Sequence, residues 1–180
     1  MNKVCYNLFM SWYTYIAADV PLENNKKHIK PKELWITNDD KYWFYILEDY
    51  FKFEELRRLL DKKFVYEISD GIRGYNFNWS KQICKNFEET ISNGSYPTRV
   101  FTAEEIERDL LRSYASKNCI IKLFEYLRKV LPKGANAKIY TLYCNDPVFV
   151  PEKIIELDLK TFEIPDEFEF GLNELWILKN

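Results

Sequence analysis

Residues 116–146, SKNCIIKLFEYLRKVLPKGANAKIYTLYCND, decide how the chain folds. Ile120, Leu123, Phe124, Leu127 and Leu131 recur at helical spacing and make one apolar face. Lys117, Lys122, Arg128 and Lys129 fall largely outside that stripe. Pro132-Lys133-Gly134 ends the helix, because proline cannot continue it and glycine tolerates a left-handed exit. Residues 137–144 then read as a strand that turns at Asn145-Asp146-Pro147. A helix with one apolar face, followed by a strand, is the unit from which a helix-covered sheet is built.

Upstream of this unit the spacing alternates between strand and helix. Residues 8–18 are apolar on both parities around Trp12, Tyr13, Tyr15 and Ile16, the pattern of a strand covered on both faces, and Asp19-Val20-Pro21 closes it. Residues 22–32 are a polar loop. Residues 34–37 and 42–47 read as a hairpin about Asn38-Asp39-Asp40. Residues 53–60 shift to helical spacing, with Glu54 and Glu55 early and Arg57 and Arg58 late, each sign at the end of the helix dipole it suits. Residues 64–68 and 75–79 return to strand across the turn 69–74. Ile83, Phe87 and Ile91 have near-helical spacing within the otherwise unassigned 80–97. Thr102-Ala103-Glu104-Glu105 is a capping box, and Ile106, Leu110, Leu111 and Tyr114 carry its helix forward. One helix through residue 131, or two with a second cap at Asn118, are both open. Residues 154–159 alternate as a strand, and residues 168–170 and 175–178 supply a last strand or pair. The expected fold is α+β: one domain over 1–180, with a mainly antiparallel sheet and helices packed on one face.

Composition narrows the function classes. Hydrophobic residues make up 47% of 180, enough for a substantial core. Thirteen tyrosines, thirteen phenylalanines and five tryptophans suit half-buried sheet faces and interfaces. A net charge of −2, with basic and acidic residues interleaved, leaves no basic block of the kind duplex binding needs, so nucleic acid is not an expected partner. Cys5, Cys84, Cys119 and Cys144 lack metal-ligand spacing and His28 is the one histidine, so no metal or cofactor is expected. The same shortage, and the lack of a nucleophile elbow or a glycine-rich phosphate loop, argues against a histidine-dependent hydrolase or a nucleotide enzyme. No apolar run reaches the length of a membrane span, and residues 1–10 make a poor signal peptide; the expectation is a reduced, cytoplasmic protein with no membrane partner.

The polar residues of interest stand where strands end. Asp19 follows the first strand, Asp70 and Arg73 occupy the glycine turn, and Asn145 and Asp146 follow the late strand. Joined by Tyr75 and Tyr143, they would ring one sheet edge and suit a cationic or hydrogen-bonding ligand. Trp35, Trp43 and Trp79 are candidate aromatic anchors for a partner.

Three segments carry a resemblance. Residues 15–22, Tyr-Ile-Ala-Ala-Asp-Val-Pro-Leu, residues 64–77, and residues 123–146 with their Tyr143-Cys144-Asn145-Asp146 ending cover about half the chain. They resemble an uncharacterised family of small bacterial proteins with an L-Y-I-A-[ST]-D-x-P-L strand, a strand followed by a G-C-x-C-G-F-like turn, and a late helix–glycine–strand unit ending in C-W-x-G-D. Where that family carries paired cysteines, this chain has Gly71-Ile72-Arg73-Gly74-Tyr75, so no thiol or metal role carries over. The resemblance implies a fold and no activity.

The expected function is a non-catalytic binding protein of bacterial or phage type, recognising a protein partner or small ligand as immunity proteins and defence modulators do. The rival is a carboxylate-dependent hydrolase or transferase with Asp19, Asp70 and Asp146 converging on a pocket. A subunit of a homo-oligomer is a third reading.

Overall fold

The structure is a computed structural model, and it describes residues 12–23, 36–37, 50–68, 72, 74–77, 102–143 and 149–180. Two neighbouring strands organise it. β1 (Trp12–Ala18) and β5 (Asn136–Tyr143) run antiparallel, Trp12 opposite Tyr143 and Ala18 opposite Ala137. β3 (Phe64–Ile68) lies on the other side of β1, and β2 (Ile36–Thr37) lies beyond β3. β8 (Glu174–Lys179) pairs with β5 and, in parallel, with β6 (Lys153–Asp158). Among the described residues the sheet therefore has six strands in the order β2-β3-β1-β5-β8-β6, antiparallel except for its last pair. β4 (Gly74–Asn76) and β7 (Glu167–Glu169) form a separate two-stranded ribbon.

The sheet is central because its sequences are apolar on both faces. From Thr14 to Ala18 every residue of β1 is buried. On one face Ile16, Ala18, Tyr66, Ile68, Ala137, Ile139 and Leu178 pack with α2 (Ala103–Val130) through Cys119, Ile120, Leu123, Phe124, Leu127 and, just past its end, Leu131. On the other, Tyr15, Ala17, Tyr140, Leu142 and Leu175 pack with Leu56 and Leu60 of α1 (Tyr50–Leu60). The α+β class and the mainly antiparallel sheet are as the sequence implied. Helices on a single face are not: among the described residues, α2 covers one face and α1 the other. The reason lies in β1 itself, whose two apolar parities need two covers.

α2 is one unbroken helix of 28 residues, about 42 Å long at 1.5 Å per residue. It begins at the capping box: the Glu105 N–H donates to Thr102 Oγ1 at 3.2 Å and the Thr102 N–H to Glu105 Oε2 at 3.0 Å. It ends at Leu131, whose N–H still reaches the Leu127 carbonyl before Pro132. Gly134, at φ +80°, turns the chain into β5. The first half of α2 contributes no buried residue, since burial begins at Cys119. α1 starts at Tyr50, three residues before the expected position, which moves Glu54 and Glu55 out of its first turn; Arg57 and Arg58 do occupy the last.

Residues 168–170 and 175–178 are not one strand. β7 joins β4, and β8 enters the main sheet. Between them Phe168, Phe170 and Trp176 stack edge-on around Phe124 and Phe162, with ring centroids 4.9–6.4 Å apart. Much of the aromatic content thus builds the core under α2. The proposed partner strand at 42–47 and the helical spacing within 80–97 lie outside the described residues. Among the described residues no helix is long and apolar enough to cross a membrane.

Candidate functional site

Tyr75 is the predicted site residue with the most structure around it. Gly74 sets it in place, because β4 and β7 approach so closely that a Cβ at position 74 would stand 2.6 Å from the Phe168 carbonyl oxygen. Tyr75 pairs with Phe168 across the ribbon, and its hydroxyl donates to the Pro165 carbonyl. Burial pushes the Tyr75 phenol up to about 12, with the nearby Asp166 charge adding to it. A buried phenol that stays protonated and already donates to a carbonyl is a structural anchor, not a proton carrier.

From that anchor a ladder of rings runs outward. Tyr75 and Phe77 lie 5.4 Å apart, and Phe77 and Tyr114 4.7 Å, all tilted. Lys117 holds the ladder from α2: its Nζ sits 5.5 Å from the centres of both Tyr75 and Phe77 and 3.3 Å from Asp166 Oδ1. The last rung is open, with Tyr114 63% exposed, and Leu111, one turn earlier on the same helix, 59% exposed. Beside them a hollow of about 260 Å³ is lined by Gly74, Tyr75, Asn76, Asp109, Arg112 and Ser113. The Asp109–Arg112 ion pair, 3.2 Å, closes one rim, and Ser113 Oγ donates to the Asn76 carbonyl on another. This ledge offers a large apolar contact on a firm base with polar groups around it.

Asp19 occupies a different place. It follows β1 at the end where Ala18 meets Ala137, whereas Tyr143 stands at the opposite end against Trp12. Seven residues of strand separate those ends by about 20 Å. Asp19 and Tyr143 therefore do not share an edge, and Asp19 is not part of a ring with Tyr143. Ile68, the last residue of β3, pairs with Thr14, so β3 ends toward the Tyr143 end of the sheet. Asp70, Arg73, Asn145, Asp146, Trp35, Trp43 and Trp79 lie outside the described residues.

The company Asp19 keeps is cationic. Lys62 Nζ donates to its Oδ2 at 2.6 Å, and the Lys63 N–H to its Oδ1 at 3.3 Å. The Lys62 hydrogen bond is the main cause holding the Asp19 carboxyl below the usual carboxylate range. Around the pair lies a hollow of about 360 Å³ bordered by Asp19, Arg57, Arg58, Asp61, Lys62 and Lys63. Asp61, at φ 45°, makes the left-handed exit from α1 that swings both lysines back toward β1. Four cations face two carboxylates here, so the cationic ligand expected for Asp19 does not suit its surroundings.

Lys117, Leu111, Tyr114 and Lys62 are the residues the sequence reading missed as site residues. The phase of α2 held the signal for two of them. Carried forward by sevens, Leu111 aligns with Asn118 and Glu125, and Tyr114 with Ile121 and Arg128; Asn118, Glu125 and Arg128 are exposed. Lys117 and Lys62 had no such signal, since only the tertiary fold brings them to a ring face and to Asp19. No protein-family model matches the chain, and no curated protein or solved structure matches it significantly.

Proposed function

We propose that this chain is a non-catalytic binding protein that recognises a protein partner through the ledge of Leu111, Tyr114 and Phe77. The observation that carries this reading is the exposure of two large apolar side chains one helical turn apart, with Tyr114 stacked on a ring that Lys117 and Tyr75 hold still. Rigid, partly exposed aromatic residues supply contact area with little ordering cost, which is why they anchor interfaces. The polar rim of Asp109, Arg112 and Ser113 fits the border of such a contact. A carboxylate-dependent enzyme draws less support, because Asp19 is exposed and tied to Lys62.

The test uses the full chain and the double variant Leu111→Ala/Tyr114→Ala. Both positions are exposed, so the variant keeps its fold by circular dichroism. A partner isolated with the native chain and titrated against both proteins is expected to bind the variant at least tenfold more weakly, since anchors of this kind are worth about 1–2 kcal/mol or more each. Equal affinity for the two proteins would remove the ledge as the interface.

A further inference from the structure

We propose that the occupant of the ledge is a second copy of this chain, the two α2 helices packing antiparallel about a two-fold axis that passes between Leu111 and Tyr114. Glu104, Glu107, Leu111, Tyr114, Asn118 and Lys122 recur at steps of three and four, so they share one face of α2, and all six are exposed. That face lies half a turn from Ile120, Leu123 and Leu127, the residues that hold the helix to the sheet, so it points away from the core. The ledge is therefore the middle of a longer surface, with two carboxylates before it and an amide and an ammonium after it. Among the described residues no ion pair engages Glu104, Glu107 or Lys122.

The order of these groups makes the face its own complement. With the helices antiparallel, Leu111 meets the partner's Tyr114. One turn further out Glu107 meets the partner's Asn118, whose amide can donate to the carboxylate. Another turn out Glu104 meets the partner's Lys122. The two-fold repeats each contact, so the two apolar side chains of one ledge become four at the axis, flanked on both sides by opposite charges. The macrodipoles oppose each other in this arrangement, which favours it again. A parallel pair would instead set Glu104 against Glu104 and Lys122 against Lys122, so the charges select the antiparallel one. The polar groups around a small apolar centre suit a dimer that forms and separates rather than a permanent one.

Sedimentation equilibrium of the full chain over a range of concentrations tests the dimer. The native chain is expected to pass from monomer to dimer, and Leu111→Ala/Tyr114→Ala to dimerise at least tenfold more weakly. Glu104→Lys and Lys122→Glu, both exposed changes that keep the fold by circular dichroism, each weaken the dimer about threefold or more. An equimolar mixture of those two variants restores it, because the changed positions face each other across the axis and opposite signs return at both contacts. A defect within either monomer would not be repaired by mixing. A native chain that stays monomeric up to about 1 mM overturns the proposal. So does a dimer that the double alanine variant leaves unchanged, or one that mixing fails to restore. The inference rests on the ledge being an interface, and the two fail separately: the ledge itself falls only if a partner of different sequence, isolated with the native chain, binds Leu111→Ala/Tyr114→Ala as tightly.

Discussion

The two faces of the central sheet use the same strands for different purposes. Toward α2, Tyr66, Ile16, Ile139 and Trp176 stand side by side across four strands, and the Phe124 cluster closes over them. One residue along, toward α1, the row reads Glu67, Tyr15, Tyr140 and Leu175. Glu67, Tyr15 and Tyr140 are all buried, so this face carries polar tips into the interior where its opposite carries rings and aliphatic chains. Each of these three engages a further group. One face of the sheet is a hydrophobic core in the ordinary sense; the other is a smaller apolar cluster joined to a polar row. Burial alone would have made them equivalent.

That difference predicts that truncation hurts most on the α2 face. Phe124→Ala removes the ring that touches Phe162, Phe168 and Phe170 and is expected to cost about 3–5 kcal/mol in chemical denaturation. Leu56→Ala on the α1 face should cost about 2–3 kcal/mol, low in the range for such a change, because a short helix over a small cluster can settle into the space. A larger loss at Leu56 than at Phe124 would reverse the ranking of the faces. Thr102→Ala tests whether α2 relies on its cap as well as its packing. With the first half of the helix contributing no buried residue, the loss of the bond from the Glu105 N–H to Thr102 Oγ1 should cost about 1 kcal/mol, with hydrogen exchange rising first near residues 103–106.

The smallest effect compares the faces by titration. Tyr75 on the α2 side and Tyr140 on the α1 side are each pushed up to about 12, in both cases first by burial, with Asp166 and Glu152 respectively adding their charge. A folded phenol that holds its proton above the unfolded value of 10 gives the native state more bound protons between pH 10 and 12. Stability is then whole below pH 10 and declines as pH rises through 12. Thermal melts across that window should show the decline, and Tyr75→Phe or Tyr140→Phe should each flatten part of it. An unchanged slope in either variant would mean that phenol ionises without unfolding its face.

Much of this fold was legible because its signals are local. The stripe from Ile120 to Leu131, the Thr102 box and the Pro132–Gly134 exit are written within a few residues each, and all appear where expected. The two-parity apolarity of β1 already required a cover on both faces, so the one-faced arrangement contradicted a signal present in the chain. What was not legible depends on contacts distant in sequence. Asp19 lies next to Lys62 because β1 pairs with β3 in one register, and the pairing of β1 with β5 places it about a strand's length from Tyr143. The ledge needed α2 to be a single helix: only then does its phase carry Leu111 and Tyr114 out of the core, and the sequence left one helix or two open.

The place of β8 has a consequence for how the chain is made. Glu174–Lys179 comes last among the strands yet sits inside the sheet, between β5 and β6, and Asn180 then bonds back to Gly134 and Ala135 at the turn after α2. During synthesis β5 and β6 are both made before the strand that joins them. Until it emerges, β5 presents an unpaired edge over Asn136–Tyr140, of which Ala137, Ile139 and Tyr140 are buried in the finished protein. A nascent or truncated chain stopping before Glu174 would carry that edge exposed, open to strands from other chains. The sheet can close only once β8 is available to join β5 to β6.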